Sequence, residues 1–96
     1  MKMLMVVYNE AIESDVMDSL KEGGMVNYTR MEHVSGKGTR SGVHDGTDIW
    51  PGLNNVLFIA VSDEKVSSLL EKVRMLRSRL GKEGVKAFVI PIDAAT

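Results

Sequence analysis

The chain has no cysteine, which excludes disulfides, thiolate metal sites, cysteine-ligated iron–sulfur clusters and a cysteine nucleophile. It also lacks an excess of either charge: 12 Lys and Arg stand against 13 Asp and Glu, for a formal net charge of −1. That near-balance provides no whole-domain attraction for nucleic acid or an anionic membrane. Aromatic residues are scarce, at 5%, and the strand-like segments do not carry the aromatic rows on which RNA bases stack, so nucleic acid is not expected as a partner. Long apolar runs are missing as well. The run at the start, Met3 to Tyr8, ends at Asn9 and Glu10. It is too short for a signal-peptide core or a membrane span, so the expectation is a cytoplasmic protein without membrane insertion.

What remains is ordinary globular composition: 44% hydrophobic and 26% charged over 96 residues, enough for a single domain spanning 1–96. The 7 methionines are scattered along the chain and read as gap-fillers in an apolar core.

Met3 to Tyr8 is short, apolar and β-branched at its centre, which predicts a buried strand. From Asn9 to Gly23, the spacing of Ile12, Val16, Met17 and Leu20 makes one helical stripe, stopped by Gly23-Gly24. Met25 to Ser35, rich in Val, Tyr and Thr, predicts a second strand. Residues 36–52 then hold five of the nine glycines in a long connection of the kind that is functional or mobile. Asn55 to Val61 is the clearest strand. Ser62-Asp63 predicts a helix cap before the stripe Val66, Leu69, Leu70, Val73, Leu76 and Leu80. Gly81 and Gly84 bracket a turn, and Val85 to Ile92 predicts a last strand with Pro91 at its end or at a sheet edge.

The order strand, helix, strand, strand, helix, strand predicts an α+β, ferredoxin-like βαββαβ fold: a four-stranded antiparallel sheet with two helices on one face. Met3–Tyr8 and Val56–Val61 are apolar at successive positions, the pattern of strands buried on both sides. Two helices cover one face only, so another copy of the same sheet is expected on the second, in a closed homo-oligomer.

No nucleophile-and-base constellation, zinc-protease motif, nucleophile elbow or Walker lysine pattern is present, so no enzyme is expected. Ser35 to Gly42 joins flexible glycines to Lys37 and Arg40, a combination that can close on an anion but that also suits a solvated turn. Arg74, Arg77, Arg79, Lys82 and Lys86 form a second basic cluster. It reads either as cations favouring a helix C-terminus or, at Lys82 and Lys86, as a face for an anion between subunits. His33, His44, Asp45 and Asp48 are nitrogen and oxygen donors of the type that bind a divalent metal, without a fixed spacing. Trp50, held extended by Pro51, suits an anchor for the return of the loop.

Over residues 2–95 the chain resembles the P-II nitrogen-regulatory signalling family. The resemblance is sharpest in Val61-Ser62-Asp63-Glu64-Lys65-Val66 and in Lys86-Ala87-Phe88-Val89-Ile90-Pro91-Ile92-Asp93, and Val34-Ser35-Gly36-Lys37-Gly38 is similar to the start of the family's T-loop. It implies a homotrimer of ferredoxin-like subunits that binds ATP or ADP in the clefts between subunits. Loop 36–52 would be a shortened T-loop that contacts a partner protein such as a transporter or an enzyme. Carried over by position, Gly36, Lys37, Gly38 and Arg40 would lie on the nucleotide side of the loop base, and Gly84 and Lys86 in the phosphate-facing turn. The loop has no tyrosine, so uridylylation is not expected there. The turn reads Gly81-Lys82-Glu83-Gly84-Val85-Lys86 where the family has Asp-Gly before the Lys, and no arginine-bearing tail follows Thr96. A divergent member is thus implied, its effector an adenine nucleotide or a divalent metal. The rival expectation is a metal-binding module similar to the trimeric CutA-like proteins, using His33, His44, Asp45 and Asp48.

Overall fold

Alternation along the strands sorts the chain into layers. A computed structural model describes residues 1–38, 42–44, 53–81 and 84–96. In order they form β1 (Lys2–Asn9), a 3-10 turn (Glu10–Ile12), α1 (Glu13–Glu22), β2 (Thr29–Val34), β3 (Gly36–Gly38), β4 (Gly42–His44), β5 (Asn54–Val61), α2 (Asp63–Leu80) and β6 (Val85–Pro91). The main sheet runs β2-β5-β1-β6 with every neighbouring pair antiparallel. This is the ferredoxin-like βαββαβ arrangement that the order of elements predicts.

Leu4, Val6 and Tyr8 of β1 and Leu57, Ile59 and Val61 of β5 point to one face, with Val85 of β6 beside them. They pack with Val16, Met17 and Leu20 of α1 and Leu69, Val73 and Leu76 of α2 into one core. Burying side chains of this size contributes about 1.5–3 kcal/mol each before entropy is counted.

Helix α1 ends by a specific device. The Met25 N–H donates to the Leu20 carbonyl at 2.9 Å and the Gly24 N–H to the Lys21 carbonyl at 3.1 Å, with Gly24 at φ +107°. This pair of bonds is the Schellman termination, and its customary apolar contact is supplied by Met25 and Leu20, both in the core. It also explains why the second strand starts at Thr29 and not at Met25: residues 25–28 belong to the helix exit. Two further expectations are corrected. The predicted helix from Asn9 begins as a 3-10 turn, because the Asn9 side chain accepts from the Ala11 N–H and caps a tight turn first. At α2, Ser62 stands at the N-cap without a side-chain hydrogen bond, and Asp63 pairs with the N-terminal amine at 3.1 Å.

Residues 36–52, expected as one long connection, open with a small hairpin in which Gly36 pairs with His44, Lys37 with Val43 and Gly38 with Gly42. The expected anchoring role of Trp50 lies outside the described residues.

Candidate functional site

One end of the sheet gathers the polar residues. Asn54 of β5 is the register partner of both Asn9 on β1 and Val34 on β2. The Asn9 N–H donates to the Gly84 carbonyl and the Glu10 N–H to the Leu53 carbonyl, each at 2.9 Å. Val34, Asn54, Asn9 and Gly84 therefore line one rim in strand order. Gly36, just past β2, packs so closely on this rim that a Cβ would stand 2.9 Å from the Asn54 amide nitrogen.

Beneath the rim lies a carboxylate hub. Glu13, in the first turn of α1, accepts from the Tyr8 hydroxyl and, at 3.2 Å, from the Asn55 amide, and its second oxygen lies 2.9 Å from the Arg30 guanidinium. Four elements thus meet at one side chain. Burial pushes the Tyr8 hydroxyl up to about 12, with the adjacent Glu13 as the second cause. The Asn55 side-chain carbonyl accepts the His33 N–H at 3.2 Å, and His33 Nδ1 lies 2.8 Å from Glu10 Oε2.

On the opposite edge, Arg77 of α2 donates to the Val85 carbonyl at 2.6 Å, fixing the start of β6. Lys86 is exposed, pairs in register with Val7, and holds its ammonium 5.4 Å from the centre of the Phe88 ring.

The six residues expected at an anion site fall as follows. Gly36, Lys37 and Gly38 form the first strand of the hairpin, and Gly84 and Lys86 lie at the same end of the sheet but at its other edge. Two strands separate these groups, which is three strand spacings or roughly 14 Å. Arg40 lies outside the described residues, as does Lys82. Of the helix cations, Arg74 pairs with Glu71, Arg79 with Asp15 at 3.8 Å, and Arg77 donates to the Val85 carbonyl, partners other than the helix's own end carbonyls.

Of the four expected metal donors, Asp45 and Asp48 lie outside the described residues. His33 is turned to Glu10, and the His44 backbone pairs with Gly36. Among the described residues, no three His, Asp or Glu side chains converge as a metal site. The residues that sequence reasoning passed over are Glu13, Arg30, Asn54 and Asn55. The visible signal was the Asn54-Asn55 pair at the head of an otherwise apolar strand.

The sheet face turned away from the helices is apolar in three cross-strand rows. Met31, Val56 and Val7 lead to Lys86; Thr29, Phe58 and Met5 lead to Phe88; and Ala60 and Met3 lead to Ile90. Met31, Phe88 and Ile90 are 49%, 42% and 41% exposed in the single chain. No helix among the described residues is long and apolar enough to cross a membrane.

The sheet order and the two helices define a ferredoxin-like α+β domain whose polar rim reaches both sheet edges. The whole chain, residues 1–96, matches the family Nitrogen regulatory protein P-II, and the protein belongs to that family. Among solved structures it is similar to CPII, a nitrogen regulatory PII-like protein from Thiomonas intermedia K12. In the form bound to ADP, AMP and bicarbonate the identity is 26%, with 92% of this chain and 81% of that one covered at a TM-score of 0.73. A 2.3 Å structure of CPII with the same three ligands matches at 24% identity over 98% and 93% of the two chains, with a TM-score of 0.75. The apo form matches at 23% identity over 92% and 84%, with a TM-score of 0.68. Among curated proteins, none matches.

Proposed function

We propose that the protein is a non-enzymatic P-II-type signalling protein of the cytoplasm. It works as a homotrimer, binds an adenine nucleotide in the clefts between subunits, and contacts a partner protein, such as a transporter or an enzyme, through loop 36–52. Family membership and the likeness to CPII, described as bound to ADP and AMP, support the nucleotide. The observation that carries the reading is the split rim. Gly36, Lys37 and Gly38 stand at one edge of the sheet and Gly84 and Lys86 at the other. Edges become clefts when copies associate, and the apolar rows of the open face supply the surface for association. Lys86 is the open-face residue of β6 nearest the rim, so a packed sheet would leave its ammonium at the margin of the interface, where a phosphate is reached by charge-assisted hydrogen bonds. Arg40 supplies a second cation from the loop. A nucleotide that touches the loop base in one arrangement only would shift the loop toward that arrangement and so change what the partner meets.

The test is a thermal-shift and calorimetric titration of the purified oligomer with ATP, ADP and AMP, and separately with Zn²⁺ and Ni²⁺. ADP at 100 times its dissociation constant stabilises the folded state by about 2.7 kcal/mol, and Lys86→Ala weakens that response. No response to any nucleotide at millimolar concentration would overturn the reading. A response to metal alone would move the weight to His33, His44, Asp45 and Asp48.

A further inference from the structure

The pairing of β2 with β5 contains a fault. Thr29, Arg30 and Met31 pair in step with Phe58, Leu57 and Val56, but Val34 resumes one residue out of step, opposite Asn54. Glu32 and His33 together stand against Asn55, a one-residue bulge. His33 has φ +58°, the single positive value for a non-glycine residue among those described. Histidine enters the left-handed region more readily than most side chains, yet the conformation persists only where its surroundings determine it.

Those surroundings are specific. Asn55 is 4% exposed, and its side-chain carbonyl takes the His33 N–H at 3.2 Å. Its amide is in turn held by Glu13 at 3.2 Å, and the His33 ring is drawn to Glu10 at 2.8 Å. A buried amide, itself braced by Glu13, and the Glu10 carboxylate thus converge on the residue that breaks the ladder, three positions before the loop begins.

We propose that His33 is the hinge that sets the register of the loop base and that Asn55 is its latch. Side chains alternate along a strand with period two, so removing the extra residue turns Val34 and those after it to the opposite face. In the bulged register Gly36 lies against Asn54 on the rim; in the straight register Val34 faces Leu53 and the loop base leaves that rim. Asn55 and His33 are positioning residues: they decide which face of Gly36 to Gly38 a ligand or partner meets. Only the ligand arm of the test rests on the nucleotide reading above.

The absence of native cysteine makes register readable by engineered cross-links. Val34→Cys with Asn54→Cys reports the bulged register, and Val34→Cys with Leu53→Cys the straight one. In the otherwise native chain the first pair is expected to oxidise in preference to the second. Asn55→Ala, or His33→Val, whose branched side chain avoids the left-handed region, is expected to shift the ratio toward the straight pair by about tenfold. His33→Gly, which accepts the left-handed backbone, keeps the native ratio. His33→Val alters an exposed edge position, so it remains informative should Asn55→Ala fail to fold. An unchanged ratio in His33→Val overturns the hinge. A shifted ratio establishes it whether or not ADP binds. A chain whose cross-links shift but whose native form ignores ADP retains the hinge and loses the nucleotide reading.

Discussion

Glu13 at the start of α1 and Arg30 on β2 meet at 2.9 Å across the end of β5, and the same carboxylate takes the Tyr8 hydroxyl and the Asn55 amide. One side chain therefore ties the first helix to three strands. A carboxylate accepts from several donors at once, which an amide cannot match. Glu13→Gln would aim an amide nitrogen at one of these donors and leave it without an acceptor. The expected loss is about 1–3 kcal/mol, read as a lower urea midpoint with an unchanged slope. A midpoint equal to that of the native chain would show that the hub is dispensable.

Gly24 carries the left-handed turn of the helix exit at φ +107°, whereas Gly36 is restricted only by the nearby Asn54 amide. The two glycines answer to different physics. Gly24→Ala pays the left-handed penalty, about 1–2 kcal/mol, and a domain of this size loses roughly 4–8 °C in melting temperature per kcal/mol. Gly36→Ala meets the movable end of a side chain, so its expected effect on melting is small. Scanning calorimetry on both variants checks the contrast; equal losses would contradict it.

The layers of the fold were legible because they follow from local patterning: Val16, Met17 and Leu20 on one helical stripe, Leu69, Val73 and Leu76 on another, and apolar runs for β1 and β5. The doubly apolar strands also announced the second face, now seen as the rows through Met5, Phe58 and Phe88. The hub and the bulge were not legible. Glu13, Arg30, His33 and Asn55 are separated by as many as 42 positions, and only strand order brings them together. The left-handed backbone at His33 has no sequence signature, because the residue that enforces it, Asn55, lies on another strand. The basic cluster was ambiguous for the converse reason: its composition fits a ligand site, and only the partners of Arg74, Arg77 and Arg79 give it a structural role.

Phe88 stands beside Met5 in the middle row of the open sheet face and is 42% exposed in the single chain. A charge placed there harms association far more than folding, since the residue is absent from the core. Phe88→Asp is expected to convert the proposed trimer to a folded monomer, seen by sedimentation as a threefold lower mass with an unchanged circular dichroism spectrum. A trimer that survives this change would place its interface elsewhere.

Arg77 reaches from α2 to the Val85 carbonyl at 2.6 Å and so holds the start of the strand that carries Lys86. Arg77→Ala removes a charge-assisted bond at a partly buried carbonyl, an expected loss of about 1–2 kcal/mol. Faster hydrogen exchange is expected at the first amides of β6, while β5 keeps its protection. Uniformly faster exchange would instead point to global destabilisation.

The Tyr8 hydroxyl, pushed up to about 12 by burial and then by Glu13, makes the protein sensitive to alkali with a definite sign. In the unfolded chain a tyrosine gives up its proton near pH 10. Between pH 10 and 12 the folded state therefore retains a proton that the unfolded state has lost. Where the folded state binds more protons, stability falls as pH rises. The contribution of Tyr8 is fully present below pH 10 and fades as the pH approaches 12. Tyr8→Phe removes the titrating group along with its bond to Glu13, so its stability starts lower but declines less steeply over this range. Urea melts in steps from pH 8.5 to 11.5 measure both slopes. Every other residue is common to both proteins, so the difference in slope isolates Tyr8, and parallel curves would show that its hydroxyl is not held by burial and the carboxylate.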